Sequence, residues 1–313
     1  MPNIGIDRRS VLAGSGALAL APSIARAQAA SGVHSFKLGT ADVTVISDGT
    51  MAMPLAWVLP DRTHDAVAGV FKEAGKTLGA FELQVNVALV RIGGELILID
   101  AGAGSDFAPQ RGKLADNLAK AGVQPDAITK VVFTHAHPDH LWGVIDPLDG
   151  GTIFSKARHV MTAIERDYWL KPGVESSVPE AVRGAAVGTQ RRLKELGARI
   201  ETVKAGDEIV PGLSLIDTAG HSPGHVSVLV NAGGSRLLIG GDALIEPVIS
   251  FARPDWRWGP DWDQDMAVAA RKRTLDMLVA DKIALLGYHL PWPGLGRVER
   301  AAAGATGYRF IAG

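Results

Sequence analysis

The sequence predicts a layered α/β domain in which two β-sheets pack face to face with helices outside. Three observations carry this reading. Short apolar, β-rich runs recur along the chain, each bounded by Gly, Asp or Asn. Stretches that tolerate helical periodicity stand between and after them. The strand-like runs fall into two groups, before and after a helical segment around residues 162–197, as two sheets would require.

Taken in order, the first group comprises residues 43–46, 85–92, 96–99 and 131–134. Leu114, Leu118 and Ala121 keep i, i+4, i+7 spacing and predict a helix inside this group. A longer helical stretch covers residues 181–196. The second group is 213–216, 226–230 and 237–239, followed by a helix over 263–278. No polar or Pro-rich linker divides the chain, and no repeat of 20–50 residues is evident. Residues 28–313 therefore read as one domain.

Residues 1–27 read as an address. Arg8 and Arg9 precede Ser10-Val11-Leu12 and an apolar run to Ile24, and Ala25-Arg26-Ala27 offers a small-x-small cleavage site. The paired arginines resemble a twin-arginine signal. The run from Val11 to Ile24 contains Pro22 and falls short of the roughly 20 apolar residues a membrane span needs. The expectation is cleavage after Ala27, handling by export machinery, no stable membrane insertion, and a periplasmic or secreted product.

Composition excludes several classes. Hydrophobic residues make up 47% and charged residues 21%, which is ordinary globular usage. Lys+Arg 32 against Asp+Glu 33 leaves a net charge of −1, offering nothing to nucleic acid or an anionic membrane. With no cysteine, disulfides, thiolate metal sites and a cysteine nucleophile are all ruled out. Any metal must be held by His, Asp or Glu.

Thr134-His135-Ala136-His137-Pro138-Asp139-His140 follows the apolar run 131–133. Four metal-capable side chains thus lie on a loop at the end of a strand. One ion needs three or four ligands, so this loop alone cannot close two sites. Three further candidates follow apolar runs: His221 in Gly220-His221-Ser222-Pro223-Gly224-His225, Asp242 after Gly240-Gly241, and His289 after Gly287-Tyr288. For His34, His64 and His159, isolated in sequence, an ordinary surface or core role is the simpler reading.

H-x-H-x-D-H, G-H-S-P-G-H, a later G-D and a late His together resemble the metallo-β-lactamase superfamily of metallohydrolases. That resemblance implies an αββα four-layer sandwich with metals at one edge. Carried over residue by residue, His135, His137 and His221 hold the first ion, Asp139, His140 and His289 hold the second, and Asp242 bridges them. Asp48 and Asp100 then stand behind the ligands, and His225 supports structure rather than a metal. The chain is most similar to the methyl parathion hydrolase group, including Ile46-Ser47-Asp48-Gly49-Thr50 and the stretch from His289-Leu290-Pro291 to Gly296. This implies a homodimeric dinuclear enzyme, zinc being favoured and manganese, cobalt or iron accepted. Phe107 and Trp169 match that group's aromatic leaving-group pocket. One departure stands out: where the family reads D-H-x-G-G, this chain has Asp139-His140-Leu141-Trp142-Gly143.

The implied chemistry is attack by a bridging hydroxide on ester-type substrates: aryl phosphotriesters such as methyl parathion, lactones and aryl esters. Asp139 and Asp242 are the candidate catalytic carboxylates, Asp139 doubling as a proton carrier. Asp242 argues against a class B β-lactamase, and His137 against the oxygen-reducing diiron relatives, which place Glu there. Two alternatives remain open: an acyl-homoserine-lactone-type lactonase without phosphotriesterase action, and an exported, non-catalytic metal- or cofactor-binding protein.

Overall fold

A computed structural model describes residues 32–107, 112–146, 150–302 and 307–313. The signal-like segment 1–27 lies outside the described residues. The first sheet runs, in spatial order, β1 (Val33–Leu38), β2 (Ala41–Met53), β3 (Phe81–Ile92), β4 (Glu95–Ile99), β5 (Lys130–Val132), β6 (Arg158–Thr162) and β7 (Ile200–Val203). Its first four strands pair antiparallel and the rest parallel. The second sheet contains β8 (Glu208–Val210), β9 (Leu213–Asp217), β10 (Val226–Ala232), β11 (Ser235–Ile239), β12 (Ala284–Leu286), β13 (Leu295–Arg300) and β14 (Tyr308–Ala312). Here only β11 and β12 pair parallel.

Among the described residues, five helices of seven residues or more accompany these strands: α1 (His64–Glu73), α2 (Leu114–Lys120), α3 (Ala163–Leu170), α4 (Arg183–Leu196) and α5 (Gln264–Ala280). Parallel strands need crossovers: α2 lies between β4 and β5, α3 and α4 between β6 and β7, α5 between β11 and β12, while β5 and β6 are joined by the segment that holds the short helical turn Pro138–Leu141. Thr63 caps α1 by accepting from the Ala66 amide, and Asp263 caps α5 by accepting from Met266.

The alternation of side chains along a strand assigns the layers. On β4, Ile97 and Ile99 join Val43, Val45, Val90 and Val132 in a core shared with Leu215, Val228, Leu237 and Ile239 of the second sheet. Leu96 and Leu98 point the other way and pack with Leu114, Leu118, Leu193 and Leu196. On the far face of the second sheet, Leu238 and Leu285 meet Leu275 and Leu278 of α5. Helix, sheet, sheet, helix is the αββα sandwich expected from the sequence.

The structure extends the predicted elements. The run 43–46 belongs to a thirteen-residue strand that bulges near Asp48, and β1, β6, β7, β8, β13 and β14 have no apolar run to announce them. Strands β7 and β8 carry exposed Glu201, Thr202 and Glu208 at the sheet edges, where no hydrophobic alternation is needed.

Candidate metal centre

The seven donors sit where strands end, on the edge common to both sheets. His135 and His137 lie on the loop after β5, and Pro138 opens the single helical turn Pro138–Leu141 that carries Asp139 and His140. His221 follows β9, Asp242 follows β11 and His289 follows β12. Gly241 adopts φ +51°, and a Cβ there would sit 2.7 Å from His225 Nε2, so only glycine lets the chain turn Asp242 inward.

Two donor groups form. His135, His137, His221 and Asp242 make one, and Asp139, His140 and His289 the other; ligand atoms in each lie within 4.8 Å of one another. Asp242 faces both. Its Oδ2 is 3.1 Å from His221 Nε2, while Oδ1 is 3.0 Å from His140 Nε2 and 3.3 Å from His289 Nε2. Asp139 Oδ2 lies 3.4 Å from His289 Nε2.

The donors fit divalent cations. His135 Nε2, Asp139 Oδ2, His140 Nε2 and Asp242 Oδ1 are buried without a hydrogen bond among the described residues. Such atoms call for a partner. His221 Nε2 and His137 Nδ1 face each other at 2.9 Å, a contact that a shared cation satisfies. Neutral imidazoles and carboxylates, with no thiolate, suit zinc and its first-row neighbours.

The outer nitrogens fix each ring. His140 donates from Nδ1 to Asp100 at 2.8 Å, His221 from Nδ1 to Asp261 at 2.9 Å, and His289 from Nδ1 to the Gln84 carbonyl at 2.7 Å. Each bond leaves Nε2 as the nitrogen that could hold a cation. Asp100 also accepts from the Thr134 amide and hydroxyl at 2.7 and 2.8 Å, and holds a left-handed φ of 64° to do so. Tyr288 stacks on His140 with centroids 3.9 Å apart and donates to the Asp139 carbonyl. His225 accepts the Asp242 amide proton on Nε2 at 3.0 Å, and its Nδ1 meets Thr218. Both nitrogens are thereby used, in keeping with a supporting role. Asp48 differs from Asp100: it accepts from the Ala103 and Leu114 amides, tying together the ends of the loop that carries Phe107.

The clustered carboxylates and imidazoles bias one another's protonation. Burial works against ionising Asp242, yet the imidazoles of His289, His140 and His221 hold its carboxyl well below the usual range. Burial also opposes charge on His221, but Asp242 and Asp261 raise it to about 9. His140 and His289 are raised in the same way, against burial, by their neighbouring carboxylates. Burial and then the surrounding histidines push His135 and His137 well down.

A cavity of about 430 Å³ opens onto His137, Asp139, His221, Asp242 and His289. Both Phe107 and Trp169 line it, with Met51, Trp57, Trp258 and Trp262. Trp169 is buried and meets the His137 ring edge-on at 5.8 Å. Trp142, the departure from the family pattern, is turned towards α4. Its Nε1 donates to Thr189, Arg192 lies over its ring at 4.0 Å, and Phe107 meets it edge-on at 5.3 Å. The Trp ring therefore backs the pocket wall. Of the late tryptophans, Trp258 and Trp262 line the cavity, while Trp256 packs under Arg62.

Sequence reasoning missed Asp261 and Glu165. Asp261 joins His221 to the buried Arg271, 3.1 Å away. Glu165 is fully buried and accepts from Ala136, Trp169, Ser222 and Gly224. Neither lies near the histidine motifs; position 261, between two tryptophans and behind a Gly-Pro pair, carried at most a weak turn signal.

The sequence profile of the metallo-β-lactamase superfamily matches residues 80–287. An N-acyl homoserine lactonase of Bacillus cereus is 25% identical over 180 residues, covering 55% of this chain and 60% of the relative. The lactonase AiiA of Bacillus thuringiensis subsp. kurstaki is 22% identical over 173 residues, covering 54% and 59%. The chain thus spans about three-fifths of the length of the curated relatives it matches. Among solved structures, AidC, a dizinc quorum-quenching lactonase in complex with a product, superposes with a TM-score of 0.83 at 28% identity, covering 90% of this chain and 97% of that one. The hydrolase AbOPH of the β-lactamase superfamily gives 0.81 at 29%, with the same coverage. With a profile match over most of its length and the same layered architecture, this chain belongs to the metallo-β-lactamase superfamily.

Proposed function

We propose that this protein is a dinuclear metal-dependent hydrolase that opens lactones, with N-acyl homoserine lactones as the favoured class. The observation that carries the reading is Asp242, whose two oxygens face the two donor groups at the floor of a cavity with largely apolar walls. The similarity to AidC and the Bacillus lactonases supports the substrate class.

Two divalent ions, zinc by donor type, would be held by His135, His137 and His221 and by Asp139, His140 and His289, with Asp242 between them; when bound they supply Lewis-acid activation of water and of the scissile carbonyl. The chain's own residues do the rest. Asp100, Asp261 and the Gln84 carbonyl keep the Nε2 atoms of His140, His221 and His289 aimed at the centre. The Asp139 carboxylate, which lines the cavity, is placed to pass a proton from its other oxygen to the leaving alkoxide. Phe107, Trp169 and Trp258 exclude water and orient the rest of the substrate.

A second reading, hydrolysis of aryl esters and of aryl phosphotriesters such as methyl parathion, draws on one observation: Trp169 is edge-on to His137 and shares a wall with Phe107. A substrate panel separates the readings. Zinc-, manganese- and cobalt-loaded protein is assayed on an N-acyl homoserine lactone, an aliphatic lactone, a p-nitrophenyl ester and a paraoxon-like triester. The lactonase reading expects the acylated lactone to have the highest kcat/KM. A triester or aryl ester in first place would favour the methyl parathion hydrolase-like reading, and no turnover by any loaded form would leave a metal-binding protein.

Two further proposals rest on the sequence. The Arg8-Arg9 pair and Ala25-Arg26-Ala27 support export and cleavage after Ala27, giving a periplasmic or secreted protein that begins at Gln28. The resemblance to the methyl parathion hydrolase group supports a homodimer. N-terminal sequencing and sedimentation of purified protein test them; an intact Met1 or a monomer would contradict the respective proposal.

A further inference from the structure

The sequence Thr162-Ala163-Ile164-Glu165 has the form of a capping box, in which the Glu would reach back to its own helix start. Only half of that box forms. Thr162 caps α3 by accepting from the Glu165 amide at 3.3 Å. The Glu165 side chain turns outward instead. Its Oε1 accepts from the Ala136 amide at 2.9 Å and from Trp169 Nε1 at 2.7 Å. Its Oε2 accepts from the Ser222 hydroxyl at 2.7 Å and from the Gly224 amide at 2.9 Å.

Those four donors come from three places. Ala136 stands between His135 and His137. Ser222 and Gly224 lie on the loop that carries His221, just after it. Trp169 is the cavity ring beside His137. The three histidines named here, with Asp242, form the first donor group. No donor of the second group touches this carboxylate. The start of α3 is also pressed against the His221 loop: Thr162 donates to the Gly224 carbonyl at 2.7 Å, and a Cβ on Gly224 would collide with Glu165 N and Thr162.

We propose that Glu165 is a positioning residue that sets, through one carboxylate, the spacing of His135, His137 and His221 and the placement of the Trp169 ring. The inference rests on reading those histidines as metal ligands and deepens it, since it makes one ion site depend on a residue that ligates neither ion. A buried carboxylate with four donors is sensitive to loss of a single acceptor, because an unmatched buried amide remains. Glu165→Gln keeps the shape but presents an NH₂ to one pair of donors. A backbone N–H, of Ala136 or of Gly224, is then left facing another donor.

Zinc content is measured by equilibrium competition with a chelator for wild type, Glu165→Gln and Ser222→Ala, together with the thermal midpoint of each metal-free protein. Metal-site outer partners typically contribute 10–100-fold to affinity. In Glu165→Gln one zinc should weaken at least 10-fold while the other stays within about threefold of wild type. Ser222→Ala should weaken the same zinc by a smaller factor and keep the wild-type thermal midpoint. Should Glu165→Gln fail to fold, selective weakening in Ser222→Ala carries the proposal by itself. Equal weakening of both zincs in step with a fallen metal-free midpoint would reduce Glu165 to a fold-stabilising residue and overturn it. Unchanged zinc affinities in both variants would overturn it too. A wild-type protein that binds no zinc would overturn the underlying metal-site reading along with it.

Discussion

His221 and Asp261 are joined by a 2.9 Å hydrogen bond from Nδ1 to Oδ1, and Asp261 in turn pairs with the buried guanidinium of Arg271. Arg271 also donates to the carbonyls of Pro254 and Trp256. The segment whose Trp258 and Trp262 line the cavity is thus tied to a metal-capable histidine through one carboxylate. Asp261→Asn keeps an acceptor for His221 but removes the charge facing Arg271. The expected result is a 10–100-fold weaker hold on one zinc, read by chelator competition. Wild-type affinity in this variant would show that Asp261 serves only Arg271.

Asp242 spans the two donor groups, so neutralising it should damage both. Asp242→Asn removes the negative charge that faces His140, His221 and His289. Loss of one metal equivalent and a fall in activity of at least about 10²-fold are expected, read by elemental analysis and by kcat/KM on a lactone. Two retained equivalents with an unchanged rate would remove Asp242 from its bridging role.

The histidines make opposite pH demands on the metal-free protein. His135, His137 and His225 have pKa values depressed by burial, His225 to about 3. The unfolded chain therefore binds more protons below pH 6.5, and stability falls as the pH drops from there. His140, His221 and His289 are raised by carboxylates against burial, His221 to about 9. Their contribution is complete below 6.5 and is lost as pH rises towards 9. The chelator-treated protein should be most heat-stable near pH 6.5. Zinc loading should abolish the decline on the alkaline side, because the ligands then carry no proton to lose. Thermal midpoints from pH 5 to 9.5, with and without zinc, check this; parallel curves would contradict it.

The gathering of these seven side chains into two groups was legible because metal-capable residues stand at strand ends: His135 to His140 in one tight loop, then His221, Asp242 and His289 each just past an apolar run. The two sheets followed from the grouping of apolar runs before and after residues 162–197; the side-chain layers did not, since on β4 the run 96–99 is apolar throughout and both of its faces are buried. What supports the donors was not legible. Asp261, Glu165 and the Gln84 carbonyl reach the histidines only through the tertiary fold, 40, 29 or 205 residues from their partners. A single acidic residue in an unpatterned stretch carries no local mark of such a partner. Trp142 shows the same limit: its place after the metal motif does not tell where the ring points, and its indole packs on Arg192 and Thr189 behind Phe107.

The cavity rings give a substrate-dependent prediction. Phe107 and Trp169 both line the cavity, and a ring pair contributes roughly 0.5–1.5 kcal/mol beyond area burial. Phe107→Ala and Trp169→Ala should each cost aryl substrates about tenfold in kcat/KM and a small aliphatic lactone less. Trp169→Ala also removes a donor to Glu165, so zinc content is followed in parallel. Equal losses on every substrate with zinc retained would make these rings packing groups.

The most direct test of the dinuclear lactonase account is a zinc titration of the chelator-treated protein, following hydrolysis of an N-acyl homoserine lactone at each added equivalent. The donor groups around Asp242 predict no turnover without metal and a rate that climbs to a plateau at two equivalents per chain. Full turnover by the metal-free protein, or a plateau already reached at one equivalent, would contradict it.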